Sequence, residues 1–278
     1  MKTMNYKKYV YPMALLMAFS CQEPSYQAAE PSTTPSTATG KVLITYAVPD
    51  APVAGLYVDN KRIELLTPFG YTTSTSYLTV SAGGTRQIRV KTDDTPIAAS
   101  NFSVTVNRTY TLFITDQMTR PADRDPAGPR TLLITDDVTP PTAGKAKVRF
   151  LHMAPDVKEK VELTNTTGNT SLLAIKKTVK NKAGESVDIT NFQRRSYRST
   201  SNSITIKDET LSSSVTDFEN ITAATYNLSI KSSGAAVKGL PVLFTYTFQA
   251  GKIYTVYLRG LSSGTGNQVP GYTVIQHN

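Results

Sequence analysis

Phe102-Ser-Val-Thr-Val-Asn-Arg-Thr-Tyr-Thr-Leu-Phe-Ile-Thr115 contains two short strands and the turn between them. In Ser103-Val-Thr-Val106 the hydroxyl side chains fall on one face of an extended chain and the apolar side chains on the other. That period of two excludes an amphipathic helix. Asn107-Arg108 stands where a hairpin turn needs a residue that tolerates positive φ. This stretch therefore predicts a β-hairpin.

The same pattern extends in both directions from residue 41 onward. Short apolar alternations are separated by turn residues, such as Asp59-Asn60 and Gly83-Gly84, every eight to twelve positions, which is the rhythm of a β-sandwich. No long helix is predicted. We expect strands at 42–48, 55–63, 77–80, 87–91, 102–106, 110–115 and 131–135, then at 147–153, 160–164, 186–192, 203–207, 226–231, 242–248, 253–259 and 272–275.

The first twenty residues have the pattern of a bacterial export signal. Lys2, Lys7 and Lys8 form a basic start, and the apolar run that follows is too short to span a bilayer as a helix. Leu16-Met-Ala-Phe-Ser-Cys21 resembles the lipobox of bacterial lipoproteins, in the relaxed form of Bacteroidetes-type bacteria. The resemblance implies cleavage before Cys21 and a lipid on its thiol, which would anchor the chain in the outer membrane, facing the periplasm or the outside. An ordinary secretory signal with a chance cysteine is the alternative.

Residues 21–40 form the predicted tether between that anchor and the folded part. Prolines and hydroxyl residues dominate this segment, and it has too few large apolar side chains to bury a core. Because Cys21 is the only cysteine of the 278 residues, an intramolecular disulfide is impossible.

Two tandem domains are indicated by an internal repeat. Val42–Asp50 aligns with Val148–Asp156, with a small shift allowed, and Arg108–Thr115 aligns with Lys252–Arg259. A third landmark, Tyr77-Leu-Thr-Val-Ser-Ala-Gly83, is matched to the stretch from Tyr226 to Gly234. We therefore expect an all-β protein in which two sandwiches, at 41–142 and 143–278, follow the signal peptide (1–20) and the tether.

These landmarks resemble the domain-of-unknown-function family 4397 of secreted bacterial proteins. The carrying motifs are Val-Arg-Phe-Leu-His-Met-Ala-Pro-Asp at 148–156, the hairpin at 77–83, and Ala-Gly-Lys-Ile-Tyr-Thr-Val at 250–256. The resemblance covers most of residues 41–261. It implies an immunoglobulin-like β-sandwich and no known activity.

No catalytic or metal-binding constellation stands out. His152 and His277 are far apart and lack the ligand spacing of a zinc site, and His152 is interpreted as a strand residue with a backbone partner. The paired acids at Asp93-Asp94 and Asp136-Asp137 are expected to end strands, and Asp123-Arg-Asp125 lacks the spaced ligands of a calcium loop. We therefore expect no enzyme activity, no cofactor and no metal.

Basic residues concentrate in a predicted insertion at about 165–200. Residues 143–278 carry seventeen basic and nine acidic residues, whereas residues 41–142 carry ten of each. A basic insertion on a rigid scaffold would suit an acidic polysaccharide, lipopolysaccharide or another envelope protein, and a solvated loop is the alternative. Nucleic acid is not expected. The candidate anion-binding residues are Lys176, Lys177, Lys180, Lys182, Arg194, Arg195 and Arg198.

The expected function is that of a non-catalytic envelope lipoprotein acting as an interaction or structural module. A carbohydrate-binding module, or an accessory subunit of an enzyme that processes envelope glycans, is the alternative. Because the chain has no Trp, a glycan platform would depend on tyrosines such as Tyr71 and Tyr77.

Overall fold

Strands make up almost all of the regular structure in the described part of the chain. The structure is a computed structural model that describes residues 38–93, 95–119 and 128–278. The first eight strands are β1 (Thr39–Ala47), β2 (Gly55–Val58), β3 (Lys61–Arg62), β4 (Leu78–Ser81), β5 (Gly84–Thr92), β6 (Thr95–Val104), β7 (Thr109–Thr115) and β8 (Arg130–Asp136). The remaining ones are β9 (Lys145–His152), β10 (Val161–Asn165), β11 (Thr170–Ser171), β12 (Lys176–Lys180), β13 (Ser186–Thr190), β14 (Ser201–Ile206), β15 (Glu209–Ser214), β16 (Glu219–Thr222), β17 (Ala224–Ser232), β18 (Val242–Phe248), β19 (Ile253–Arg259) and β20 (Gly271–Gln276), with one turn of 3₁₀ helix at Gly266–Gln268.

Two pairs of four-stranded sheets have the same strand order. In the first pair the orders are β4-β1-β7-β8 and β3-β2-β5-β6, and in the second they are β16-β9-β19-β20 and β11-β10-β17-β18. β1 runs parallel to β7, and β9 runs parallel to β19 in the same way. The expectation of an all-β protein built from β-sandwiches is therefore confirmed.

Each sandwich has its own apolar core. Val42, Ile44 and Tyr46 of β1 face Leu56 and Ile88 of the opposite sheet, and all five are buried. In the second sandwich the corresponding face of β9 packs on β10 and β17 in the same way. Alternate residues of a strand point to opposite faces, so each core uses every second residue of its strands.

A third apolar cluster joins the two sandwiches. Leu43, Phe113 and Ile134 of the first sandwich pack with Leu151 and Tyr257 of the second, and all are buried. The sheets that meet here are β4-β1-β7-β8 and β16-β9-β19-β20, whose other faces line the two cores. The four sheets are therefore stacked in layers, and the central strands of the middle two, β1, β7, β9 and β19, are buried on both faces.

Strand pairing corrects part of the predicted repeat. Val42–Asp50 and Val148–Asp156 are equivalent without any shift, because Lys41 pairs with Thr109 as Lys147 does with Ile253. The third landmark was wrongly matched. Tyr77–Gly83 contains the edge strand β4, whose counterpart is β16, whereas the stretch after Tyr226 lies in β17.

Two tyrosines at equivalent positions, one in β7 and one in β19, accept hydrogen bonds from the backbone that precedes their strands. The backbone N–H of Thr105 donates to the Tyr110 hydroxyl at 3.2 Å, and that of Gln249 donates to the Tyr254 hydroxyl at 3.2 Å. Each tyrosine lies five residues after its partner, which is the arrangement of a tyrosine corner in immunoglobulin-like sandwiches. This contact explains the tyrosine in the landmark at 250–256.

The insertion is longer than predicted. Two hairpins, β12–β13 and β14–β15, stand between β11 and β16, where the first sandwich has only the loop from β3 to β4. They share a small apolar cluster formed by Ile189, Phe192 and Val215. The strand expected at 203–207 therefore belongs to the insertion and not to the sandwich.

Several predictions lie outside the described residues. These are the signal peptide, Cys21, nearly all of the tether, Asp94 and the segment with Asp123 and Asp125. Among the residues that are described, no helix is long and apolar enough to cross a bilayer.

Replacing either corner tyrosine with phenylalanine should lower the free energy of unfolding by about 0.5–1.5 kcal/mol, because a backbone N–H loses its acceptor. Urea denaturation of Tyr110→Phe and Tyr254→Phe measures this loss. Tyr57→Phe is the matched control, since no described residue hydrogen-bonds to the Tyr57 hydroxyl. Equal losses in all three variants would contradict the assignment.

Candidate functional site

The seven predicted cations do not share one surface. Lys176 is paired with Asp188 at 2.7 Å, and Lys177 is paired with Asp217 at 3.0 Å. Lys180 donates to the Ser186 hydroxyl at 2.8 Å and is exposed. Two of the four lysines thus already have acidic partners, and the anion-binding role of the set stays a prediction.

Arg195 is part of the core. Its side chain is buried, Nε donates to the carbonyl of Phe150 at 3.0 Å, and Nη1 donates to the carbonyl of Phe192. Burial lowers the pKa of Arg195 to about 10. Because it is not at the surface, Arg195 does not belong to any anion-binding patch.

Arg198 and Tyr197 lie where the second sandwich meets the first. Arg198 Nη2 donates to the carbonyl of Thr131 at 2.8 Å, and the Tyr197 hydroxyl is 3.5 Å from Thr115 Oγ1. Burial raises the pKa of Tyr197 to about 12. Arg198 therefore has a structural contact across the interface.

His152 is buried and satisfied by the backbone. The N–H of Ala154 donates to Nδ1 at 3.2 Å, so Nε2 carries the proton and donates to the carbonyl of Val157 at 3.0 Å. Burial lowers the pKa of His152 to about 4. The interpretation of His152 as a strand residue with a backbone partner is confirmed.

An ion pair between Asp136 and Arg149 crosses the interface between the sandwiches. Arg149 Nη2 is 2.8 Å from Asp136 Oδ1, and both side chains are 0% exposed. Thr111 donates to Asp136 Oδ2 at 2.7 Å and accepts from Arg149 Nη2 at 3.1 Å. The guanidinium carbon also lies 4.3 Å from the centre of the Phe218 ring. Buried charges need this degree of pairing, since each is costly to remove from water.

His277 completes a closed set of hydrogen bonds around this ion pair. The Tyr77 hydroxyl donates to Asp136 Oδ2 at 2.8 Å and lies 2.6 Å from His277 Nδ1, so Nδ1 carries the histidine proton. Nε2 then accepts from the Thr255 hydroxyl at 2.7 Å, and Thr255 Oγ1 accepts from Arg149 Nε at 2.7 Å. We call the six residues of this arrangement the interface ring: Tyr77, Thr111, Asp136, Arg149, Thr255 and His277.

The environment of the interface ring keeps its histidine and tyrosine neutral. Burial lowers the pKa of His277 to about 4, and the nearby Arg149 lowers it further against the opposing effect of Asp136. Burial and the Asp136 charge raise the pKa of Tyr77 well above its ordinary value of 10. At neutral pH the ring therefore holds one carboxylate and one guanidinium as its only charges.

Tyr71 and Tyr77 are packing residues. Tyr77 belongs to the interface ring, and the Tyr71 ring lies 5.1 Å from the guanidinium carbon of Arg259, which also donates to the Tyr71 hydroxyl at 3.2 Å. A glycan platform made from these two tyrosines is therefore wrong.

A polar groove lies between the second sandwich and the inserted hairpins. Its volume is about 360 Å³, within the range of small-ligand sites. Two cations line it, Lys160 from the loop before β10 and Arg194 from the loop after β13. The remaining lining residues are Thr190, Asn191, Ser196, Ser201, Asn202, Ser203 and Ile204. We call this site the Lys160–Arg194 groove.

Arg194 points into this groove because its neighbour points inward. The N–H of Arg195 donates to the carbonyl of Val161 at 2.8 Å, and the N–H of Val161 donates to the carbonyl of Arg195 at 2.9 Å. This bridge fixes the backbone beside β10 with the Arg195 side chain in the core, so the preceding side chain faces the opposite way. Asn202 Nδ2 holds the loop from the other side by donating to the carbonyls of Phe192 and Arg194 at 3.2 and 3.1 Å.

A second groove, of about 550 Å³, lies on the first sandwich. Lys91 Nζ sits 4.9 Å from the centre of the Tyr57 ring in this groove, and the exposed side chains of Val53 and Leu66 stand at its rim. Arg62 and Glu64, which also line it, form an exposed ion pair at 3.7 Å. Its basic groups thus have partners within the groove.

Fold and contacts together define an all-β protein of stacked sandwiches held by a buried polar interface. Residues 40–164 match the model of a domain of unknown function, DUF4397, which supports the resemblance to that family. The match includes the first sandwich and continues through β9 and β10, so it crosses the boundary predicted at 142 and ends before the inserted hairpins. A search among curated proteins finds no match.

Sequence reasoning missed the residues that matter most in these sites. Asp136 ends β8 as expected, but its buried ion pair was not predicted, and Arg149 and Thr255 were not singled out. Lys160 was also missed, because it lies outside the cluster of basic residues. An arginine at an apolar strand position, as in Val148-Arg-Phe150, was the available signal for a buried partner.

Removing one member of the buried ion pair should be costly. Asp136→Asn leaves the Arg149 guanidinium without a counter-charge and should lower the free energy of unfolding by about 3–5 kcal/mol. The double variant Asp136→Leu with Arg149→Met should lose less than either single charge removal. Glu64→Gln, which breaks an exposed pair, should cost less than about 1 kcal/mol. A small loss for Asp136→Asn in urea denaturation would refute the account of the interface.

Stability should decrease as the pH falls from about 6.5 to about 4. Both histidines have a native pKa of about 4, below the value of 6.5 of an exposed histidine, so the unfolded chain binds more protons in this window. The expected slope is at most about 1.4 kcal/mol per pH unit for each histidine. Urea denaturation across this range measures it, and His277→Gln should roughly halve the slope. An unchanged slope in that variant would show that His277 does not titrate as described.

Proposed function

We propose that this protein is a non-catalytic lipoprotein of the bacterial cell envelope that serves as an interaction or structural module. The observation that carries the proposal is the interface ring, which joins two sandwiches into one stacked block. A block of this kind suits a protein that presents fixed surfaces at a distance from its anchor. The tether at 21–40 would supply that distance.

The state of the histidines supports a non-catalytic role. A general base needs a pKa near the working pH and a hydrogen-bonding position facing a substrate. His152 and His277 are buried, their ring nitrogens are engaged in the contacts described above, and both pKa values are lowered to about 4. Neither histidine is placed to take a proton from a substrate at neutral pH.

Anchoring follows from the sequence pattern before Cys21. A thiol at the end of an export signal is the group that receives a diacylglycerol in bacterial lipoproteins. Two or three acyl chains hold a protein durably, since each buried methylene contributes about 0.8 kcal/mol. In the proposed location the chain is attached to the outer membrane and faces either the periplasm or the outside.

Carbohydrate binding, alone or as an accessory subunit of a glycan-processing enzyme, is the second candidate. The Lys160–Arg194 groove favours it, because eight of its nine lining residues bear a hydroxyl, an amide or a basic group. Such groups match the donors and acceptors of a sugar ring.

Metabolic labelling with a palmitate analogue tests the anchor. The native chain should be labelled and should sediment with the outer membrane, whereas Cys21→Ser should be unlabelled and soluble. Ser20→Ala is the matched control, because it keeps a small residue before the cysteine and should retain the label. Equal labelling of the native chain and Cys21→Ser would overturn the lipoprotein assignment.

A further inference from the structure

The Lys160–Arg194 groove contains two cations that have no acidic partner among the described residues. Arg194 is half-buried, and its Nε is buried without a hydrogen-bond acceptor. Glu162, the acidic residue of β10, is engaged with Lys231 at 3.4 Å and with Gln193 at 3.3 Å. An arginine in this position lacks both its full hydration and a counter-charge, which is unfavourable unless an anion occupies the groove.

The groove is also held in shape without a ligand. The bridge between Val161 and Arg195 fixes one wall, and Asn202 fastens the loop to β14. The carbonyl of Lys160 accepts from the N–H and the hydroxyl of Ser233, at 2.8 and 2.9 Å, so the backbone that bears the ammonium is fixed as well. A site that is already ordered loses little conformational entropy when a ligand binds.

The neutral lining residues restrict the chemistry of the ligand. Ser196, Ser201, Ser203 and Thr190 offer hydroxyls, and Asn191 offers an amide. Two cations among so many neutral polar groups suit a ligand with one negative charge and many hydroxyls. The guanidinium fork matches a planar carboxylate with two parallel hydrogen bonds.

We propose that the Lys160–Arg194 groove binds the carboxylate-bearing sugar of an acidic polysaccharide. The carboxylate lies against Arg194 and Lys160, and the ring hydroxyls contact the serine side chains. This inference rests on the proposed function in one respect, since a place in the envelope brings the groove into contact with such polymers.

Isothermal titration of the purified full chain in detergent with trigalacturonate tests the site. The native chain should bind this uronic acid trisaccharide, and Lys160→Gln with Arg194→Gln should weaken binding by about tenfold or more, because each lost charge-assisted hydrogen bond is worth at least about one factor of ten. Arg194→Lys should restore part of the affinity, as it keeps the charge and loses the fork. Circular dichroism checks that every variant is folded.

Lys180→Gln with Lys182→Gln is the matched control, because it removes the same amount of charge from the insertion at positions outside the groove. It should leave the affinity within about twofold, since screening limits the effect of distant exposed charges. Equal losses in the two double variants would overturn the proposal in favour of unspecific attraction.

Two further ligands show which chemical group the groove recognises. Maltotriose, a neutral trisaccharide, should bind much more weakly than trigalacturonate, and equal binding would refute a role for the carboxylate. Inorganic phosphate that binds more tightly than trigalacturonate, with the same dependence on Arg194, would replace the sugar by a phosphate group. Absence of trigalacturonate binding would overturn the inference, whereas the lipoprotein assignment would still stand on the labelling of Cys21.

Discussion

The ion pair between Asp136 and Arg149 is the contact on which the arrangement of this protein depends. Both groups are removed from water, and their attraction is supported by hydrogen bonds from Thr111 and Tyr77 to Asp136 and from Arg149 to Thr255. Such a contact fixes geometry more than it adds stability, since two apolar side chains would fill the same space without the cost of desolvation. Its effect is to specify how one sandwich sits on the other, which an apolar cluster alone would define less sharply.

The interface has the character of a two-fold contact made within one chain. Asp136 and His277 occupy equivalent positions after their last strands, because they follow Thr135 and Gln276, which pair with Tyr110 and Tyr254. Phe113 and Tyr257 are likewise equivalent, and their rings meet edge to face at 5.3 Å.

In a symmetric dimer the same surface of each copy contacts the other, and the two sandwiches of this chain meet in the same manner. The two sandwiches differ in charge at equivalent positions, because Leu43 of the first corresponds to Arg149 of the second. A symmetric ring would have put two carboxylates or two guanidinium groups in one buried space. Divergence of equivalent positions is therefore what makes the buried polar contact possible.

Most of the fold could be predicted from local patterns. The strands at 242–248 and 253–259 were predicted to the residue, because alternation and a Gly turn define both ends. The turns at Asp59-Asn60 and Asn107 have the positive φ that their residue types favour. The β-hairpin predicted at 102–115 is nevertheless wrong, because β6 and β7, on either side of Asn107, belong to different sheets. The matching of Tyr77–Gly83 to the stretch from Tyr226 failed because both stretches begin with tyrosine and continue as a strand. Only the strands with which they pair show that the first contains the edge strand β4 and the second lies in β17.

The candidate sites were harder to predict, because they are made by pairs of residues distant in sequence. A count of basic residues finds Lys176 and Lys177, whose charges are balanced by Asp188 and Asp217 across strands and turns. It also finds Arg195, whose side chain is in the core. A count of basic residues along the sequence does not identify Lys160, because it is a single lysine before β10. What separates a binding cation from a structural one is the absence of a partner in space, and a sequence does not display partners.

The insertion turns a repeated scaffold into two unequal halves. The first sandwich has only the loop from β3 to β4 at this point, whereas the second has two hairpins with their own small core. Their connection runs beside β10, where the alternation of an extended chain sends Arg195 inward and Arg194 outward. The inward residue anchors the hairpins to the sandwich, and the outward residue gains a fixed position in a groove that neither part would form alone. The position of Arg194 in this groove thus follows from the packing that holds the insertion in place.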